Sequence, residues 1–439
     1  MALLTKRVFI SLLAGIVVGE LIINHYVIAD TLHALLDLTI LLFTTPWILK
    51  TFGFMLLMGS VMFLMERSGG INGFVYMLSH RLSLVKSDRA ALLLVYIIGI
   101  VIFIETSITV LIAGAVGRPL CDAHGISRAK LAYVCDSTSA PVGSILMFNG
   151  YGALMLGLIT AQMGLGFMNG ESVSWLMQAL MYNFYAILAL VLTFFVIWFR
   201  LDIGAMKHAL VKHERSEIKE GGNAMFMIAP ILLMVGGVFL FLYITGEGNI
   251  LKGSGSSSIF YTMVLTLLLM GGYFIVKGVM SFKVVAEDTW KGMRSMLAIT
   301  SILLFAFGIG QVTSDMKTGV YLASYVNAVL SPAWLAAAVF LLAAIMSFST
   351  GTSWGTFSIM VPIAIPLAVA MDADIALVLG AVISGGVFGD HCSPISDTTI
   401  VSSMATGCDH VEHVKTQLPY ALFSGLLAFL LFALVGYGR

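Results

Sequence analysis

The chain has 439 residues, of which 59% are hydrophobic and 10% charged, and its mean hydropathy is +1.00. A soluble globular chain carries roughly 25% charged residues, so the composition excludes an ordinary water-soluble enzyme and describes an all-α polytopic membrane protein. Lysine plus arginine (23) equals aspartate plus glutamate (23), which leaves no basic surplus for a phosphate backbone and excludes nucleic acid as a partner.

Lys6 and Arg7 precede an apolar run that reaches residue 28. The small-residue cleavage signal is poor and more runs follow, so this is a retained first helix and not a signal peptide; its lone acid, Glu20, is expected to snorkel. A second spanning run covers 46–65. Ala90–Ile104 and Ser107–Leu120 are only about 15 residues each and reach about 22 Å, short of a hydrocarbon core of roughly 30 Å. They read as a re-entrant hairpin over 90–120, with Glu105, Thr106 and Ser107 at its tip. An interrupted helix over 129–163 follows, broken at Asp136, Ser137, Thr138, Ser139 and Pro141. The run 175–199 closes the first half, and the charged stretch 201–222 is a solvated cytoplasmic linker.

The second half, 223–439, repeats the order. Spans at 224–244, 259–280 and 296–314 lead to a hairpin over 334–371 whose tip is Gly351, Thr352 and Ser353. An interrupted helix over 375–406 then breaks at Asp390, His391, Cys392, Ser393, Pro394, Ser396 and Asp397, and a last span runs from 418 to 437. With the N-terminus inside, nearly all of the 23 basic residues fall on the cytoplasmic side, leaving Lys252, Lys317 and Arg439 outside and Lys50 near a span, as positive charge retention requires. In that arrangement the first hairpin enters from the cytoplasm and the second from outside, so the halves form two inverted-topology repeats in a cytoplasmic membrane.

Interrupted segments at matching positions of inverted repeats point to a secondary transporter's binding site near the midplane. A break frees backbone groups that a cavity or an ion must satisfy, and each break here adds hydroxyls and a carboxylate, the oxygen ligands that replace a hard cation's hydration shell. Two oxygen-rich sites are expected. One combines Glu105, Thr106 and Ser107 with Asp136, Ser137, Thr138 and Ser139; the other combines Thr352 and Ser353 with Asp390, His391, Ser393, Ser396 and Asp397. Glu105, Asp136, Asp390 and Asp397 are the candidate sodium ligands, because intramembrane carboxylates are costly and usually functional; the bland alternative is that some only cap helix ends.

The run Gly389-Asp390-His391-Cys392-Ser393-Pro394-Ile395-Ser396-Asp397-Thr398-Thr399 resembles the signature of the NhaC-type sodium/proton antiporters, within the larger ion-transporter superfamily. Arg118-Pro119 and Ser127 to Tyr133, leading into Asp136-Ser137-Thr138, agree with it. The resemblance covers nearly the whole chain and implies paired hairpins, broken helices, a sodium-coupled carrier, and an elevator-like transport domain moving against a dimeric scaffold. The chain departs from the pattern at Glu105-Thr106, where relatives often carry two aspartates, and at Phe148-Asn149-Gly150-Tyr151-Gly152. Asn149 and Tyr151 could then line a pocket for an organic acid or amino acid, with packing the plainer role for Tyr151.

Competing chemistries fit less well. Cys121, Cys135, Cys392 and Cys408 show no CxxC spacing and no disulfide framework. His391, Cys392, Cys408, Asp409, His410 and His413 match no zinc pattern. An aspartyl protease built on Asp136 and Asp390 is disfavoured by the prolines and hydroxyls that follow each acid. A passive channel lacks the need for inverted repeats. The sequence therefore reads as a non-enzymatic, sodium-using secondary transporter with no cofactor besides the ion. Its partners are membrane lipid, small ions and a second copy of the chain. Sodium/proton antiport leads, and sodium-coupled movement of a small organic acid or amino acid is the alternative.

Overall fold

The computed structural model describes residues 8–79, 87–103, 106–209, 222–250, 253–326 and 330–438. All regular structure among them is helical, as a chain in lipid must satisfy its backbone groups within each segment. In chain order the helices are α1 (Val8–Ile23), α2 (Ile28–Thr44), α3 (Pro46–Arg67), α4 (Gly70–Ser79), α5 (Asp88–Val101), α6 (Thr106–His124), α7 (Arg128–Ser137), α8 (Ala140–Ile145), α9 (Gly150–Gly164), α10 (Ser172–Met181), α11 (Phe184–Phe199), α12 (Met225–Thr245), α13 (Gly255–Val276), α14 (Phe282–Ser295), α15 (Leu297–Asp315), α16 (Thr318–Val326), α17 (Pro332–Thr350), α18 (Ser353–Ala370), α19 (Ile375–Cys392), α20 (Asp397–Thr406) and α21 (His410–Tyr437). Among the described residues, nine helical segments are long and apolar enough to cross a membrane, counting the bent 128–164 segment as one.

Helix pairs stand at both expected hairpins, as α5–α6 and α17–α18, and both interruptions are present as α7–α8–α9 and α19–α20; the second pair is longer than a re-entrant hairpin needs, since α17 and α18, at 19 and 18 residues, are each long and apolar enough to cross a membrane. The structure corrects several other expectations. The run 175–199 is two helices, because the Asn183 side chain leaves the helical ladder to donate to the carbonyl and hydroxyl oxygens of Ser144 at 3.1 and 2.8 Å. Glu20 does not snorkel: it is buried and accepts from Asn24 Nδ2 at 3.3 Å. The start of the linker is not solvated coil, since Ile203 N donates to the Tyr420 hydroxyl and that hydroxyl donates to the Leu201 carbonyl, docking residues 201–208 on α21. Helix α2, with Asp30, His33 and Asp37, was hidden by its mixed polarity.

The helices pack as two groups. In one, α3 lies between α13 and α14, with α12, α1 and α15 around them. Lys50 Nζ donates to Ser257 Oγ at 2.8 Å near one end of α3, and Ser60 Oγ donates to the Thr289 carbonyl at 2.8 Å nearer the other, so α13 runs with α3 and α14–α15 against it. In the other group α17 packs along α19, with α18 and α21 beside them, while α20 packs along α6 and α7. The groups meet where α9 touches α3 and α18, and where α15 touches α18.

The α17–α19 contact is the tightest. Helices in a membrane gain little from apolar burial against one another and rely on close approach of small residues. Gly385 and Gly389, one turn apart, let the α17 backbone in: a Cβ on Gly389 would sit 2.2 Å from the Ala344 carbonyl oxygen and 2.7 Å from Phe348 N. The stacked rings of Phe340 and Phe388 flank the contact at 5.6 Å. Gly389→Ala should therefore destabilise the protein by about 1–3 kcal/mol, the usual cost of overpacking, and lower Tm in detergent. Gly272→Ala, where a Cβ meets open space, should leave Tm unchanged or raise it; equal Tm values for the two variants would mean that α17 and α19 do not approach so closely.

Candidate functional site

Helix α7 ends at Ser137 and α19 at Cys392, and the two ends face each other inside the protein. Asp136 is fully buried at the end of α7. Its Oδ2 accepts from Gln417 Nε2 at 2.7 Å, His413 Nε2 at 3.3 Å and Thr399 Oγ1 at 3.4 Å, and His391 Nε2 stands 3.9 Å away. Every one of these groups belongs to the second half of the chain. The other oxygen, Oδ1, receives no hydrogen bond from the described residues.

His391 links the breaks from the other side. Its Nε2 lies 3.3 Å from Ser137 Oγ and its Nδ1 lies 2.5 Å from the Tyr185 hydroxyl. Those partners suit a tautomer in which Tyr185 donates to Nδ1 and Nε2 carries the proton. Its backbone carbonyl, near the frayed end of α19, accepts from Gln417 Nε2 at 2.7 Å.

Asp390 forms a second centre. It is buried, its Oδ2 accepts from Ser353 Oγ at 3.4 Å, and the Ser396 hydroxyl and the Asp397 carboxylate act on it as well, while Oδ1 receives no geometrically sound hydrogen bond from the described residues. Ser353 lies 2.8 Å from the Tyr151 hydroxyl, and the Tyr151 ring packs on Trp354 at 5.0 Å. The hairpin tip reaches the break because Gly351 turns with φ 67°, in the left-handed region, and a Cβ there would meet the Ile395 carbonyl oxygen at 2.5 Å. Among the described residues, no Lys or Arg pairs with Asp136 or Asp390. Two ionised carboxylates at 0 and 1% exposure are costly without a counter-charge, and their donor sets of carboxylate, hydroxyl and amide oxygens suit a hard cation or a proton.

The expected grouping of the first site changes accordingly. Asp136 and Ser137 meet α19, α20 and α21, while Glu105 lies outside the described residues, as does the side chain of Ser107. Thr106 opens α6 and its methyl would lie 3.5 Å from a Cβ on Gly143. Thr138 and Ser139 turn back into their own segment, donating to the carbonyls of Val134 at 2.8 Å and Asp136 at 3.0 Å. Asn149 caps α9 and donates to the Gly143 and Phe103 carbonyls, which is a structural duty.

In the second site Ser353 and Asp390 do meet. Thr352 caps α18, Ser393 donates to the Phe348 carbonyl at 2.7 Å, and Ser396 shares a hydrogen bond with Thr398. Asp397 is exposed and accepts from the Thr398 backbone N–H at 2.8 Å. The sequence reading missed Tyr185, Thr399 and Gln417, and it weighed His413 only as a metal ligand. A signal existed in α21: His413, Gln417, Tyr420 and Ser424 recur every three or four residues along the helix, marking one polar, buried stripe.

Comparison with known proteins places this geometry. The model of the Na+/H+ antiporter family matches residues 149–437. An uncharacterised protein of Haemophilus influenzae is 34% identical over 455 residues, covering 96% of this chain and 86% of that protein. The malate-2H(+)/Na(+)-lactate antiporter of Bacillus subtilis is 33% identical over 108 residues, 25% of this chain and 23% of that one. Among solved structures the YdaH transporter of Alcanivorax borkumensis superposes with a TM-score of 0.66 at 16% identity, over 93% of this chain and 90% of that chain, a likeness of fold. This multi-pass membrane protein, with its two apposed helix breaks, is an antiporter-type transporter and belongs to the Na+/H+ antiporter family.

Proposed function

We propose that the protein exchanges sodium for protons across the cytoplasmic membrane, using Asp136 and Asp390 as the carboxylates that take either ion. One observation carries the reading: at each of two apposed helix breaks a buried carboxylate keeps one oxygen without a hydrogen bond from the described residues, and no Lys or Arg among those residues pairs with it. A proton and a sodium ion are alternative ways to neutralise such a group. An ionised, empty site is expensive to carry through a low-dielectric barrier. Reorientation is then favoured with either ion bound and opposed with none, and that asymmetry is what couples the two fluxes. The bond lengths at Asp136 leave Oδ2 committed to protein donors, so the exchange occurs at Oδ1.

Two packing groups support an elevator-like arrangement, with α3 and α12–α15 as the fixed wall and the body formed by α5–α11 and α17–α21 as the moving part. The meeting of the two interrupted ends at Ser137 and His391 supports inverted repeats, and the distribution of basic residues supports the N-terminus inside. The Tyr151–Ser353–Asp390 chain of hydroxyls, together with the organic acids named for the Bacillus subtilis relative, favours a second reading in which a small carboxylate travels with sodium.

Proteoliposomes with defined sodium and pH gradients test the first reading. Wild type should move protons against sodium with no organic solute present; uptake that needs malate or lactate would instead support the second. Asp136→Asn and Asp390→Asn keep volume and remove charge, so each should reduce exchange to the level of empty liposomes while Tm stays near that of wild type. A variant that exchanges at the wild-type rate removes its carboxylate from the ion path.

Orientation is checked independently. Reporter fusions at Gly222 and Arg439 should report opposite sides of the membrane, and the same side for both would overturn the inverted arrangement.

A further inference from the structure

Gln417 lies on α21, outside both helix breaks, yet it touches both. The side chain is 1% exposed. Its single amide nitrogen donates to Asp136 Oδ2 of the first break and to the His391 carbonyl of the second, each at 2.7 Å. Both partners are acceptors only, so the amide has one orientation: turning it over would set Oε1 against two oxygens. That orientation leaves Oε1 buried without a hydrogen bond from the described residues, in the same state as Asp136 Oδ1. A buried oxygen with no donor is costly, and here the cost falls twice within one hydrogen-bonded pair.

We propose that Gln417 is a ligand of the transported cation, through Oε1, at a site shared with Asp136 Oδ1, and that its nitrogen holds the two breaks in register around that ion. The inference rests on reading Asp136 as an ion-holding carboxylate. A neutral amide supplies an oxygen without adding charge, so one carboxylate and one monovalent cation leave the site neutral. The same arithmetic selects against divalent ions, which would bring an unbalanced positive charge into a buried place. Gln417 is thus both a binding residue and the element that sets the charge class of the ion.

Equilibrium binding of radioactive sodium to the purified full-length protein, followed by sodium/proton exchange in proteoliposomes, tests this. Gln417→Met preserves length and removes both the oxygen and the donor; it should raise the sodium Kd and the KM for sodium at least tenfold, with a smaller change in maximal rate. Gln417→Glu keeps an oxygen and adds a charge; it should still bind sodium and should become inhibitable by calcium, to which wild type is indifferent. A folded Gln417→Met protein that binds sodium as wild type does overturns the ligand role while leaving the exchange reading intact. Should the Met variant fail to fold, Gln417→Glu decides: no gain of calcium competition overturns the proposal. Wild type that binds no sodium overturns the exchange reading and this inference together.

Discussion

A helix interrupted inside a membrane exposes carbonyls, amides and side chains that no solvent reaches, and everything else in this structure follows from how the two interruptions satisfy each other. The hydrogen bonds from Gln417 to Asp136 and to the His391 carbonyl are the central joint. They bring the end of α7, the end of α19 and the middle of α21 to one point, with Tyr185 and Ser137 closing the ring through the His391 imidazole. Among the described residues, what remains unsatisfied around that point is one oxygen on each of two carboxylates, the amide oxygen of Gln417 and the Nδ1 of His413. A protein that packs its centre this way is poised to accept positive charge.

The surrounding packing keeps that centre from collapsing. Gly385 and Gly389 draw α17 and α19 into backbone contact, so the second break is held by rigid neighbours and not by mobile side chains. Elsewhere in the same group of helices, the buried Arg128 donates to the Thr406 carbonyl at 2.9 Å and pairs with Asp122 at 2.7 Å, while Arg118 donates to the Met404 carbonyl. These guanidiniums cap the C-terminus of α20, where free carbonyls and the helix dipole favour a cation. The N-terminus of α20 carries Thr399 against Asp136. One short helix therefore ties the two guanidiniums to the surroundings of the buried Asp136.

Much of this was legible in the chain. Short arms marked the first helix pair, a polar tip the second, and acid, hydroxyl and proline clusters both breaks, because those features are local and periodicity fails sharply at them. The Gly389–Thr399 run also carried the family. What was not legible is partnership. Asp136 was expected to face Glu105 and Thr106, its neighbours by analogy between the halves, but its described hydrogen bonds reach across to Thr399, His413 and Gln417. The polar stripe of α21 marks Gln417 as a buried face but not its partners; its role arises only when a distant helix end arrives beside it. Asn149 failed in the opposite direction, since a polar residue beside a glycine serves a cap as readily as a pocket.

The grip of Arg118 and Arg128 on α20 has a consequence for the integrity of the chain. Helix α20 belongs to the second half by sequence and to the first half by contact, while α9 of the first half lies against α18 of the second. The halves are exchanged strands of a clasp, each completing the other's wall. Cut at the midpoint, neither fragment would own a finished interior, and the two would have to find each other during insertion before either could become stable. The midpoint of the chain is thus no boundary of packing, because the walls on either side of it are completed by helices from the other half.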